Sequence, residues 1–261
     1  MPLIGSLKTL LLRGLLAGLI AGLLAATVGY FVGEPQIDAA IAIEEAAAAP
    51  AEHGHDAAEP AGHSHGDEEE ALVSRSGQKA GQFLALGLAG LAFGALFAAA
   101  LNVARRFTTL SGPRLALTSA VLGWTAFVAV PFFKYPANPP AVGDPETIND
   151  RTWLWVAVVA LGFLAVAAAV AAYRAVVATD TLKLIAGVFA FVVVTTVGYL
   201  LLPEVNEVAD EFPATLLWNF RVASLAQTAT LWASLGLAFA ALTEFAARRS
   251  TAVVEEVTTA A

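Results

Sequence analysis

The chain has 261 residues, 58% hydrophobic and 14% charged, against the roughly 25% charged share of soluble domains, so lipid must solvate most of its apolar surface. The lack of cysteine excludes disulfide scaffolds, thiolate metal sites and cysteine nucleophiles. A net charge of −8 argues against a nucleic-acid partner.

In chain order, residues 14–32, 82–101, 115–133, 153–173, 184–202 and 222–243 are each apolar on every face. About 20 helical residues cross a hydrocarbon core about 30 Å thick, whereas barrel strands would be short and alternating. The fold class expected is all-α: a polytopic membrane helical bundle with six transmembrane helices, or five if the first is cleaved. Lys8 and Arg13 before an apolar run that reaches Ala25, Ala26 and Thr27 fit a secretory signal. The run continues to Val32, however, and Gly14, Gly18 and Gly22 recur every fourth residue. Such a stripe lets a second backbone approach closely, and the expectation is a retained helix.

The N-terminus, the second and fourth loops and the C-terminal flank hold nine of the 14 cations, among them Arg105, Arg106, Arg114, Arg174 and Arg248. The other three loops hold 18 of the 22 acids. The positive-inside rule then predicts both termini on the cytoplasmic side. Trp153, Trp155 and Trp218 fall at predicted outer ends, the usual depth for indole rings. The organisation expected is 1–33 (N-terminal region and first helix), 34–80 (outer loop), 81–249 (five-helix bundle) and 250–261 (cytoplasmic tail).

The outer loop is too poor in large apolar residues to form a core. Residues 36–49 are expected to continue as helix until Pro50, and 50–66 to be flexible. All four histidines occur there, as His53-Gly54-His55 and His63-Ser64-His65, among Glu52, Asp56, Glu59, Asp67, Glu68, Glu69 and Glu70. In an extended chain residues i and i+2 share a side, so each pair can offer two imidazoles to one ion. Gly54, Pro60, Gly62 and Gly66 permit the reversal that brings the pairs together. Neutral imidazole suits zinc, copper, nickel, iron and cobalt, and carboxylates complete a shell. The alternative is a solvated low-complexity tract that binds metal as any histidine tract does. The ligand types do not select the metal.

Ionisable residues at depth are scarce. Glu34 stands at the outer end of the first span, and Glu204, Asn206 and Glu207 lie just beyond the fifth. Arg221, at the start of the sixth, is placed to pair with one of those acids and heads a polar stripe with Ser224, Gln227 and Thr228. These groups, with Thr195, Thr196, Thr118, Ser119 and Thr125, are expected to make interhelical hydrogen bonds. Prolines 136, 139, 140 and 145 make the segment 134–150 a rigid outer cap, which either covers a pathway mouth or bridges two helices. There is no phosphate-binding Gly-x-x-x-x-Gly-Lys-Ser/Thr loop and no His-Glu-x-x-His helix. With every histidine in one loop no Ser-His-Asp set can assemble at one depth, so no enzyme is expected.

Several blocks together carry a family likeness: Gly33-Glu34-Pro35-Gln36-Ile37-Asp38, Ala42-Ile43-Glu44-Glu45, the histidine-acid loop, Leu72-Val73-Ser74-Arg75-Ser76-Gly77-Gln78, the run from Pro131 to Pro145, and Pro203-Glu204-Val205-Asn206-Glu207. The chain resembles the CbtA family of cobalt transporter subunits over nearly its whole length. That resemblance implies cobalt uptake linked to cobalamin supply in a prokaryotic plasma membrane, with a one-helix, histidine-bearing CbtB partner. The expected function is capture of cobalt, or nickel, by His53, His55, His63 and His65, followed by a relay at Glu34, Glu204 and Glu207 and passage through the bundle. No prosthetic group is expected. The rival readings are a binding subunit that delivers the ion to a separate channel, and a structural membrane protein.

Overall fold

The computed structural model describes residues 3–48, 73–140 and 142–259. Eight α-helices account for most of them: α1 (Leu7–Val28), α2 (Glu34–Ala48), α3 (Arg75–Ala104), α4 (Gly112–Trp124), α5 (Val130–Lys134), α6 (Ile148–Ala175), α7 (Asp180–Leu201) and α8 (Ala214–Thr259). Two of the junctions are π turns, Gly29–Gly33 between α1 and α2 and Thr125–Ala129 between α4 and α5. Six helical stretches are therefore long and apolar enough to cross a membrane, and no strand occurs among the described residues. The six-helix expectation holds, with one refinement. The first span and the loop helix are one continuous rod, Leu7–Ala47.

The π turns have a common cause. Each is followed closely by proline, Pro35 in the first case and Pro131 in the second. Proline has no N–H and its ring clashes with the carbonyl four residues back, here Phe31 and Phe127. Widening the preceding turn shifts the register by one residue: Glu34 N–H bonds Gly29 O and Val130 N–H bonds Thr125 O, both five residues back. The chain so passes each proline without breaking the helix.

Four helices form the packed centre, α1 against α3, with α8 beside α1 and α4 beside α8. The glycine stripe does what its spacing promises. A Cβ on Gly18 would overlap the carbonyl oxygen of Gly90, and one on Gly14 would overlap that of Gly94. Gly22 meets Leu86 O in the same way. The matching glycines of α3, Gly87, Gly90 and Gly94, carry a second stripe that did not stand out in the sequence. Below this seam Leu10, Leu101, Leu235 and Phe239 are fully buried, with Phe97 edge-on to Phe239 at 5.7 Å.

The remaining hairpin, α6 and α7, leans on this centre through a second close approach. Gly162 of α6 sits against the main chain of Ala126, inside the α4–α5 π turn. Helix α7 packs mainly on α6, with Gly198 against Leu161. Its other face, including Val188, Phe189 and Leu200, is open, as suits a helix in lipid. Trp153 and Trp218 are mostly exposed, in keeping with anchoring in the headgroup layer.

Two of the hydroxyls, those of Thr125 and Thr228, do not behave as expected. Thr125 Oγ1 donates to Val121 O at 2.8 Å and Thr228 Oγ1 to Ser224 O at 2.9 Å, both within their own helix. A threonine in a helix always has that carbonyl within reach, so the local bond outcompetes the interhelical one. Tyr199 supplies an interhelical bond instead, its hydroxyl donating to Val130 O.

Candidate functional site

The two ends of the bundle differ in chemistry. At one end Arg105 Nη1 donates to Leu3 O at 3.2 Å and Gly5 O at 3.0 Å, and Arg174 Nη2 donates to Phe107 O at 2.5 Å. These arginines tie the second and fourth loops and the N-terminus together by their own carbonyls. The other end, the loop end, carries the proline-rich segment, the α7–α8 loop and the roots of the segment 49–72.

Those roots are latched. Glu34 is buried, at 6% exposure, and its Oε2 is paired with Arg75 Nη2. Arg75 Nε donates to Asp38 Oδ1 at 2.9 Å, and Lys79 Nζ reaches Asp38 Oδ2 at 2.7 Å. Ser74 caps α3 by accepting from Gly77 N–H. The arginine and lysine thus hold α3 to α2. His53, His55, His63 and His65 lie outside the described residues.

A second latch closes the proline segment. Glu207 accepts from Thr147 Oγ1, from Asp144 N–H at 3.1 Å and from Arg151 Nη1 at 3.1 Å. The Thr147 hydrogen bond, then the Asp144 amide and the Arg151 charge, hold its carboxyl below the usual carboxylate range, against the opposing effect of burial. Arg151 Nη2 also donates to Asp144 O at 3.0 Å. Gly143 makes room for this: its φ is 125°, and a Cβ there would lie 2.5 Å from Arg151 Nη1. Tyr135 donates its hydroxyl to Pro203 O at 2.7 Å, and burial pushes its pKa up. Arg221 Nη2 reaches Asn138 Oδ1 at 2.9 Å and its Nε reaches Ala137 O at 3.3 Å.

The proline segment joins α5 to α6, the bridging role left open by the sequence, and its residues also line a cavity. That cavity, of about 470 Å³, is lined by Tyr135, Asn138, Arg151, Trp155, Glu207 and Arg221 among others. Of the carboxylates singled out in the sequence, Glu34 and Glu207 stand in separate latches, each on its own arginine. Glu204 is exposed. Among the described residues no three His, Cys, Asp or Glu side chains come together as a metal shell. Arg221 differs from expectation, since its partners are the amide and carbonyl of the proline segment and not an acid. Glu207 already belongs to Arg151, a residue that the sequence reading did not single out.

Further into the bundle Gln82 of α3 and Gln227 of α8 meet at the first π turn. A Cβ on Gly29 would lie 2.5 Å from Gln82 Nε2 and 3.0 Å from Gln227 Cδ. Gln82 Oε1 is buried there without a hydrogen-bond partner. The sequence placed Gln227 in a polar stripe but held no sign of its neighbour.

A family model described as probable cobalt transporter subunit (CbtA) matches residues 7–244. The chain belongs to the CbtA family. The match runs from the start of α1 into α8, so it takes in all six spans and both latches. No curated protein and no solved structure matches the chain. The family description names cobalt as the probable cargo, and the word subunit implies a partner chain.

Proposed function

We propose that this CbtA-family chain captures a divalent transition-metal ion, cobalt in the first place, and passes it across a prokaryotic plasma membrane. The observation that carries the reading is a family match spanning a six-helix membrane bundle. Capture is assigned to His53, His55, His63 and His65, whose His-x-His pairs and surrounding acids supply nitrogen and oxygen ligands. The Glu34–Arg75 latch supports this by holding both roots of that segment at one end of the bundle. Glu204, which is exposed, is the first carboxylate able to take the ion onward, whereas Glu34 and Glu207 would each have to release an arginine. Nine cations at the opposite end support a cytoplasmic placing of both termini. The implied partner is a one-helix CbtB-type chain, and the route serves cobalamin supply. Nickel is the competing cargo.

A second reading has a specific observation behind it. The pairing of Glu34 and Glu207 with arginine favours a subunit that binds the ion and hands it to a separate channel. Labelled cobalt uptake into liposomes containing this chain alone separates the two, with a variant lacking the four histidines alongside. Uptake that falls in the variant at low cobalt establishes transport with histidine capture. Histidine-dependent binding without uptake assigns delivery, and binding unaffected by the variant removes the loop from the mechanism.

A further inference from the structure

The cavity at the loop end has the wrong charge for a bare divalent cation. Two guanidinium groups, Arg151 and Arg221, line it against the single carboxylate of Glu207. Arg151 divides its charge between that carboxylate and Asp144 O, and its Nε is buried with no hydrogen-bond partner. Arg221 has only neutral acceptors, Asn138 Oδ1 at 2.9 Å and Ala137 O at 3.3 Å, and makes no ion pair among the described residues. A cation taken partly out of water without a counter-charge is costly, and an incoming anion relieves the cost. Guanidinium presents a planar fork of donors matched to carboxylate and phosphate oxygens. Trp155, Val205 and Val208 add apolar surface to the lining. The volume of about 470 Å³ falls in the range of small-molecule sites, roughly 300–1,000 Å³.

The geometry points to a binding site for a small oxyanion, a carboxylate or phosphate group on a compact organic body, held by Arg221 in a cavity that Arg151 also lines. The site is separate from the metal ligands proposed above and does not rest on them. Asn138 accepts from the Arg221 guanidinium, and both residues line the cavity together with Tyr135, Pro136 and Ala137 of the proline segment.

The test is isothermal titration of the full chain in nonionic detergent, at fixed ionic strength, with chelator present and no metal. Citrate and inorganic phosphate are the probes. The expected result is saturable one-site binding, weakened at least tenfold in Arg221→Gln and partly retained in Arg221→Lys. Val205→Glu, on a partly exposed loop position, places a negative charge in the lining and should abolish binding even if Arg221→Gln proves unstable. Competition by short-chain phosphatidic acid would identify a lipid headgroup as the source of the oxyanion, and lack of competition a free solute; both support the site. Absence of saturable binding up to millimolar probe, or equal affinity in wild type and Val205→Glu, overturns it. Because no metal is present, such a failure leaves the cobalt reading to its own uptake assay.

Discussion

Glu34 pairs with Arg75 across 41 residues of chain. The carboxylate is almost fully buried and the guanidinium about one-third exposed, so the pair lies between a surface bridge and a buried one. Its position matters more than its strength, since it closes the base of the segment that contains every histidine of the protein.

Replacing Glu34 by Gln leaves Arg75 with Asp38 and removes the buried half of the latch. Surface pairs contribute about 0–1 kcal/mol and a broken buried pair costs about 3–5 kcal/mol. The expected cost is about 1–3 kcal/mol, between those two limits, read as a lower unfolding temperature in detergent. Asp38→Asn, at a half-exposed carboxylate, should cost less. Equal effects would show that burial does not set the strength of this latch.

At the α1–α3 seam the glycines leave no space. Gly18→Val forces a side chain into the Gly90 carbonyl, and overpacking of this kind costs about 1–3 kcal/mol or more. A Cβ on Gly33 would meet nothing within 4 Å, so Gly33→Ala should leave thermal stability unchanged. A seam variant as stable as Gly33→Ala would mean that the helices separate without cost.

The Glu207 clasp carries a pH dependence. Its folded-state pKa is lowered, first by the Thr147 hydroxyl. The clasp therefore stabilises the loop above the ordinary glutamate value, about 4.3, and that contribution disappears only as pH falls through the lowered value. Thr147→Val removes the largest cause and should move loop opening to higher pH. Hydrogen exchange of the Asp144 amide, which donates to Glu207, reports the opening. An unchanged midpoint in the variant would assign the lowered value to Arg151 instead.

Metal retention is lost in the same direction, as pH falls, but in a higher range. Imidazole binds metal when neutral, so cobalt binding through His53, His55, His63 and His65 should weaken as pH falls through about 6.5. Equilibrium dialysis on either side of that value, at about pH 7.5 and about pH 5, measures it. Equal retention at both, or in the variant without the four histidines, would point to carboxylate ligands.

Composition and run length by themselves determined the solvent, the helical class and the six spans, because a backbone in lipid must satisfy its own hydrogen bonds and needs about 20 apolar residues to cross. The spacing of Gly14, Gly18 and Gly22 also declared a close helix contact, since only small residues on one face permit one. Tertiary structure alone decided the partners. That Gly90 and Gly94 receive this stripe, that Arg75 takes Glu34 and Arg151 takes Glu207, and that Arg221 turns to Asn138 all depend on which residues meet across long separations. Spacing describes one helix at a time, whereas a charge pairs with whichever acceptor the packed bundle brings within about 3 Å. The polar meeting of Gln82 and Gln227 at Gly29 was hidden for the same reason, lying on three helices that only the fold brings together.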